Sequence, residues 1–257
     1  MSGINLQTNL FISLLNIYMS HAQKIAIIQA IAWIGAAGSF LIFDWPTILW
    51  VILVGYFIGV VGGIVGLHRY FSHRSFKVNR FWHYVFMATA TIQGLGSPIA
   101  WVSCHLKHHA HSDTDKDAHS PKHKGRFKVF FGYFFDVYDV QPKYAVTYLR
   151  DPVHKFVHNY YFWLQGAYAG MLLLINPLLI YPLYFWPVVF GVLFCGITNV
   201  ISHWNFFPED NWFVAILTSG EGMHKYHHDH PNEAVLPFPD FAGFLIKLIR
   251  KKELTTN

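Results

Sequence analysis

The chain has 257 residues, 53% of them hydrophobic, 18% aromatic and only 13% charged. Soluble domains carry about 25% charged residues, so this balance excludes an ordinary water-soluble domain and predicts one membrane domain covering residues 1–257. The net charge of +5 has the size of a nucleic-acid signal, and the two cysteines, Cys104 and Cys195, exclude a disulfide framework and a thiolate zinc site.

Taken in chain order, the first apolar run is too long for a short cleavable leader, and none is expected. Residues 25–43 hold no charge and are broken by Asp44-Trp45-Pro46; residues 47–67 form a second uncharged run. Each is long enough to cross about 30 Å of hydrocarbon as a helix. Gly59, Gly62, Gly63 and Gly66 make overlapping G-x-x-x-G patterns, which let helix backbones approach closely in lipid. Residues 81–104 are apolar but interrupted by Gln93, Gly94, Gly96, Ser97 and Pro98. The uncharged stretch from Phe156 to Pro208 is broken by Asn176-Pro177 and Tyr181-Pro182, which predicts helices over 158–175 and 183–203. The last segment, Phe241 to Lys252, reads as an amphipathic interfacial helix with a basic tail.

The expected fold is therefore all-α and integral to a membrane. Four spans (25–43, 47–67, 158–175 and 183–203) carry a cap made of 68–157 and 204–257. All 19 Lys and Arg residues fall in the N-terminal segment, in 68–155 or after His203, and none in the turns 44–46 and 176–182. The positive-inside rule then puts both termini and the cap in the cytosol, and the basic excess needs no nucleic acid.

Histidine carries the chemistry. His68 and His73 form H-x-x-x-x-H; His105, His108 and His109 form H-x-x-H-H; His224, His227 and His228 repeat that spacing; His203 stands alone four residues after Asn199. Imidazole is the commonest metal ligand at neutral pH, and nine are too many for one ion and suited to two. On a helix, positions i, i+3 and i+4 share a face, so each H-x-x-H-H presents three rings to one side. Positions i and i+5 diverge on a regular helix, so the first pair requires a helix end or a loosened turn. Ligands of one site must converge, so 81–104 has to lie along the interface or dip in and return. Asp113, Asp117 and Glu221 are candidates to orient the rings by accepting their second N–H. By ligand type the set suits iron, zinc or copper. A site at the membrane boundary favours C–H oxidation of a lipid chain, hence iron.

Four segments carry a family resemblance: G-L-H-R-Y-F-S-H-R-S-F (66–76), H-L-K-H-H-A-H-S-D-T-D-K-D-A-H-S-P (105–121), T-N-V-I-S-H-W (198–204) and N-W-F-V-A-I-L-T-S-G-E-G-M-H-K-Y-H-H-D-H-P (211–231). With these, the chain resembles the membrane fatty acid desaturases of the acyl-CoA, stearoyl type. The resemblance implies an oxidoreductase that uses O2 and two electrons to insert a cis double bond into a fatty acyl chain. It further implies two iron ions held by His68, His73, His105, His108, His109, His203, His224, His227 and His228, with Asn199 reaching one metal through water. Acyl-CoA is the expected substrate form. With no fused cytochrome domain, electrons would come from a separate ferredoxin, rubredoxin or cytochrome b5 type donor; Lys122, Lys124, Arg126 and Lys128 form a basic stretch that would suit an acidic partner or a CoA phosphate. The membrane would be a bacterial inner membrane or the endoplasmic reticulum. Cys104, Ala118 and Lys225 depart from residues common in that family. A lipid or alkane hydroxylase shares the three-box plan, and a metal-transport protein is a reading from another class.

Overall fold

The computed structural model describes residues 19–117, 119–131 and 140–251. The departure at Ala118, the N-terminal segment 1–18 and the end of the basic tail from Lys252 lie outside these residues. Among the described residues the chain is helical, with one isolated bridge pairing Asp210 and Met223.

Helix α1, His21–Ile42, starts at a capping box in which the Ser20 hydroxyl and the Gln23 side chain satisfy each other's backbone N–H groups. Asp44 ends the turn and caps α2, Trp45–Gly59, by accepting from the Thr47 N–H, with Pro46 in the first turn where its missing donor costs nothing. The chain then continues as a π-helix, Val60–Ser72, without a break. After it come α3, Arg80–Thr91, and α4, Pro98–His111. Two short turns, Pro121–Lys124 and Arg126–Phe130, precede α5, Pro142–Arg150, and α6, Pro152–Asn159. Helix α7, Tyr161–Ile175, is followed by a 3-10 turn, Pro177–Leu179, a π turn, Tyr181–Phe185, and α8, Trp186–Ile201. The last helices are α9, Trp212–Leu217, α10, His224–Asp229, and α11, Phe241–Ile249.

Three helical runs are long and apolar enough to cross a membrane: His21–Ile42, Trp45–Ser72 and Pro177–Ile201. They match three of the four expected spans. Helix α7 matches the fourth in place, but its 15 residues reach only about 22 Å. Ile34, Leu41, Trp45, Trp50 and Leu174 point outward from these helices, as lipid-facing side chains do.

The expected interruption near residue 93 is a full reversal. Gly94 and Gly96 take φ of 65° and 89°, a left-handed conformation that glycine adopts without strain. The segment 81–104 therefore makes two helices of 12 and 14 residues rather than one crossing. The π-helix lies at the centre of the core: Val61, Ile64, Leu67 and Phe71 are buried with Phe86 and Met87 of α3, Ile99 and Trp101 of α4, Val192 of α8, and Ile246 of α11.

The glycines of α2 and the π-helix serve two different neighbours. A Cβ at Gly55 would lie 2.3 Å from Trp186 and one at Gly59 2.9 Å from Phe190, both in α8. A Cβ at Gly62 would lie 2.4 Å from the Thr89 carbonyl oxygen in α3. The stripe thus sets backbone approach on both sides of the span. Gly62→Ala should cost about 1–3 kcal/mol and lower the melting temperature in detergent, because a backbone carbonyl must move. Gly63→Ala, whose Cβ would meet only Gln93 Oε1 at 3.6 Å, should leave it unchanged.

Candidate metal centre

Four stretches of chain deliver the nine expected histidines to one place. The π winding solves the i, i+5 problem: the His73 N–H bonds to the His68 carbonyl at 3.2 Å, and the two rings lie 5.0 Å apart. Helix α4 carries His105, His108 and His109; α10 carries His224, His227 and His228. His203 lies just past the end of α8, and its ring is fully buried.

The rings sort into two groups. His68, His73, His105, His109 and His227 form one; His108, His203, His224 and His228 form the other. Within each group, one ring nitrogen per residue lies within 4.8 Å of all the others. Each H-x-x-H-H is therefore split. On a helix, i and i+4 differ by about 40°, whereas i+3 lies about 60° to the other side of i. His105 and His109 stay together while His108 crosses to the second group; His224 and His228 stay together while His227 crosses to the first. The two helices exchange one ring each.

The spacing suits metal ions. Nε2 atoms lie 2.9 Å apart in His68–His227, 3.1 Å in His227–His109 and 2.7 Å in His73–His105. In the second group they lie 2.9 Å apart in His203–His224 and 3.1 Å in His224–His228. Nitrogens about 2.1 Å from a shared ion and at right angles to each other lie roughly 3 Å apart. His108 Nε2 is buried with no hydrogen-bond partner among the described residues, as expected of a donor aimed at an ion.

Electrostatics keeps the rings ready. Burial, reinforced by the neighbouring imidazoles, lowers His73 and His228 to about 2 and pushes His105, His109, His224 and His227 well below the ordinary imidazole value. All six are neutral at pH 7, with a lone pair to donate.

All three candidate carboxylates are in place around the outside. Glu221 Oε2 contacts His68 Nδ1; both Asp117 oxygens lie 3.0 Å from His108 Nδ1; Asp113 Oδ2 lies 2.8 Å from His203 Nδ1. Each holds Nδ1–H and so turns Nε2 inward. Burial raises the Glu221 carboxyl, but His68 and Arg69 outweigh it and hold it at about 2. His108 likewise overcomes burial at Asp117 and keeps it ionised.

A cavity of about 50 Å³ abuts the rings. His68, His105 and His224 line it together with Gly63, Ile64, Leu95 and Phe194. Asn199 lines it, and its Nδ2 donates to the Cys195 carbonyl at 2.8 Å. A larger apolar groove of about 780 Å³, between α1 and α7, shares no lining residue with this cavity.

Sequence reasoning missed Trp101, which stacks on His105 with ring centroids 4.8 Å apart and 16° between planes. Its signal was its spacing, one helical turn before His105. It also missed Arg69, buried directly after His68. Of the histidines left outside the site, His119 is buried against His108, with ring centroids 5.5 Å apart.

The shifts have a consequence for pH. A buried histidine with a lowered pKa binds fewer protons when folded than when unfolded, so stability is full above about pH 6.5 and falls as pH drops below it. Metal-free protein should therefore melt progressively lower in detergent from pH 7.5 to 5, and bound metal should be released over the same range as protons compete. A flat melting profile would contradict the burial of neutral rings.

The fatty acid desaturase family model matches residues 44–239. The sn-1 stearoyl-lipid 9-desaturase of Anabaena variabilis is 30% identical over 205 residues, covering 72% of each chain. The sn-2 palmitoyl-lipid 9-desaturase of Nostoc sp. (strain 36) is 33% identical over 216 residues, covering 75% of this chain and 73% of its own. The acyl-CoA C20 Delta5-desaturase of Anemone leveillei is 30% identical over 233 residues, covering 84% and 74%. With three membrane-type helices, two histidine groups and these relatives, the chain belongs to the fatty acid desaturase family of oxidoreductases.

Proposed function

We propose that the chain is a four-span membrane enzyme, folded as a single unit. In this reading it inserts a cis double bond into a saturated acyl chain at two iron ions. The observation that carries this is the partition of nine imidazoles, six buried and three half-buried, into groups of five and four beside an apolar cavity. His68, His73, His105, His109 and His227 would hold one ion, and His108, His203, His224 and His228 the other, with Asn199 reaching an ion through water. Bound iron would supply the oxidising power for C–H removal. Two hydrogens from the chain, two electrons and two protons together reduce O2 to two waters.

The protein's own part is positional. Gly63, Ile64, Leu95 and Phe194 offer an apolar seat that holds one methylene pair against the rings and excludes water. Trp101 fixes the His105 ring, and Glu221, Asp113 and Asp117 fix the tautomers of His68, His203 and His108. Helix α7 would cross with α6 beside it, which returns the chain to one side and agrees with the Lys and Arg placement. Both termini and the centre then face the cytosol, in a bacterial inner membrane or the endoplasmic reticulum. A separate, acidic electron donor would dock there. Arg126 is less available to it than the sequence implies: its guanidinium lies 3.9 Å from the Trp204 ring centre and donates to the Trp204 carbonyl at 3.0 Å. The basic stretch supports acyl-CoA as the substrate form, whereas two of the relatives are named for lipid-linked chains.

Expression in a host of known lipid profile tests this reading by gas chromatography and mass spectrometry. Wild type should raise the monounsaturated fraction, and His108→Ala should return it to background. Gly63→Leu, which fills the cavity, should cut product at least tenfold with metal content unchanged. Hydroxylated chains would instead support the hydroxylase. Labelled acyl-CoA and labelled phospholipid, supplied separately to membranes, decide the carrier by which one gains the double bond.

A further inference from the structure

Arg69 is buried to 1% exposure, one residue after a proposed ligand, and no apolar environment tolerates an unpaired guanidinium. Its Nε and Nη2 lie 3.1 and 2.9 Å from Glu221 Oε1. Its Nη1 lies 2.8 Å from Asp240 Oδ2 and donates to the Ala234 carbonyl at 3.2 Å. Glu221 turns its other oxygen to His68 Nδ1. Asp240 in turn caps α11, accepting from the Gly243 N–H at 2.9 Å, and also accepts from the Leu236 N–H at 2.7 Å. One ionic chain, Asp240–Arg69–Glu221–His68, therefore joins the start of the last helix to a ring of the five-histidine group.

The other group has no such clamp. Asp117 is held by the His119 and Asp113 N–H groups at 2.8 and 3.0 Å, and Asp113 faces the Ser112 hydroxyl at 3.4 Å. Among the described residues no Lys or Arg pairs with either. The two halves are thus oriented by different devices: a carboxylate fixed by a buried arginine in one, and in the other Asp117 held by local backbone N–H groups and Asp113 facing a serine hydroxyl.

We propose that Arg69, held by Asp240, is a positioning residue for the five-histidine metal site and for that site alone. Two guanidinium N–H groups converge on Glu221 Oε1 and hold that carboxylate with Oε2 against His68, which fixes the tautomer and direction of His68. A lysine has one nitrogen and cannot reproduce the contacts that Arg69 makes from three. The inference rests on the two-metal reading.

The test is anaerobic ferrous titration of purified, metal-stripped protein in detergent, with metal-to-protein ratio and helical circular dichroism as readouts. Wild type should bind two ions; if it binds none, the metal reading itself fails. Arg69→Met should weaken one of the two ions by 10–100-fold and leave the other at wild-type affinity. Asp240→Asn and Arg69→Lys should weaken the same ion by less. The double variant Arg69→Met/Glu221→Gln should be no worse than Glu221→Gln alone, since Arg69 acts through that carboxylate. Asp117→Asn should weaken the opposite ion. Two wild-type affinities in Arg69→Met, or equal loss of both ions with helical content retained, would overturn the proposal. If Arg69→Met fails to fold, Asp240→Asn and Arg69→Lys carry the test: with helical content retained, an unchanged pair of affinities in both overturns it.

Discussion

An imidazole nitrogen donates a lone pair to a metal only while it is unprotonated, and nine such nitrogens cannot be packed together if any sizeable fraction is charged. Burial resolves this. It removes the water that would stabilise imidazolium, and a charge on any one ring would repel a charge on the next. The rest of the molecule serves that condition. Apolar helices exclude water, the reversal at Gly94 and Gly96 brings α4 back to the π-helix, and three carboxylates on the outside select the tautomer of the rings they touch.

The arrangement of the rings follows from helix geometry. Each H-x-x-H-H offers two rings nearly in line and one displaced, and facing two such helices towards each other hands the displaced ring of each to the other's group. The π-helix adds a pair at i, i+5 that an α-helix would splay apart. In the proposed reading these are two neighbouring ions in unlike surroundings, with five rings on one side and four on the other.

Much of this was legible in the sequence. The histidine spacing and the uncharged runs marked the centre and the membrane helices, and convergence alone required the segment 81–104 to turn back, as it does at Gly94 and Gly96. Asp113, Asp117 and Glu221 could be singled out because a ligating histidine needs an acceptor behind it. The grouping of the rings was not legible, because it depends on how α4 and α10 face each other and not on spacing within either. The i, i+5 pair requires a loosened turn, but its spacing alone does not specify a π winding that runs the whole length of Val60–Ser72. Arg69 was hidden by its neighbours: a basic residue at a membrane edge reads as an interfacial anchor until its two distant partners, Glu221 and Asp240, are placed beside it.

The central claim is that nine imidazoles hold two metal ions with no sulfur ligand. X-ray absorption at the metal edge of anaerobically loaded wild-type protein tests it most directly. The account predicts a shell dominated by imidazole nitrogen at about 2.1 Å, with the multiple-scattering pattern of four to five rings per ion, as nine rings shared between two ions require. A shell containing sulfur, or one of mainly oxygen with one or two imidazoles, would contradict it.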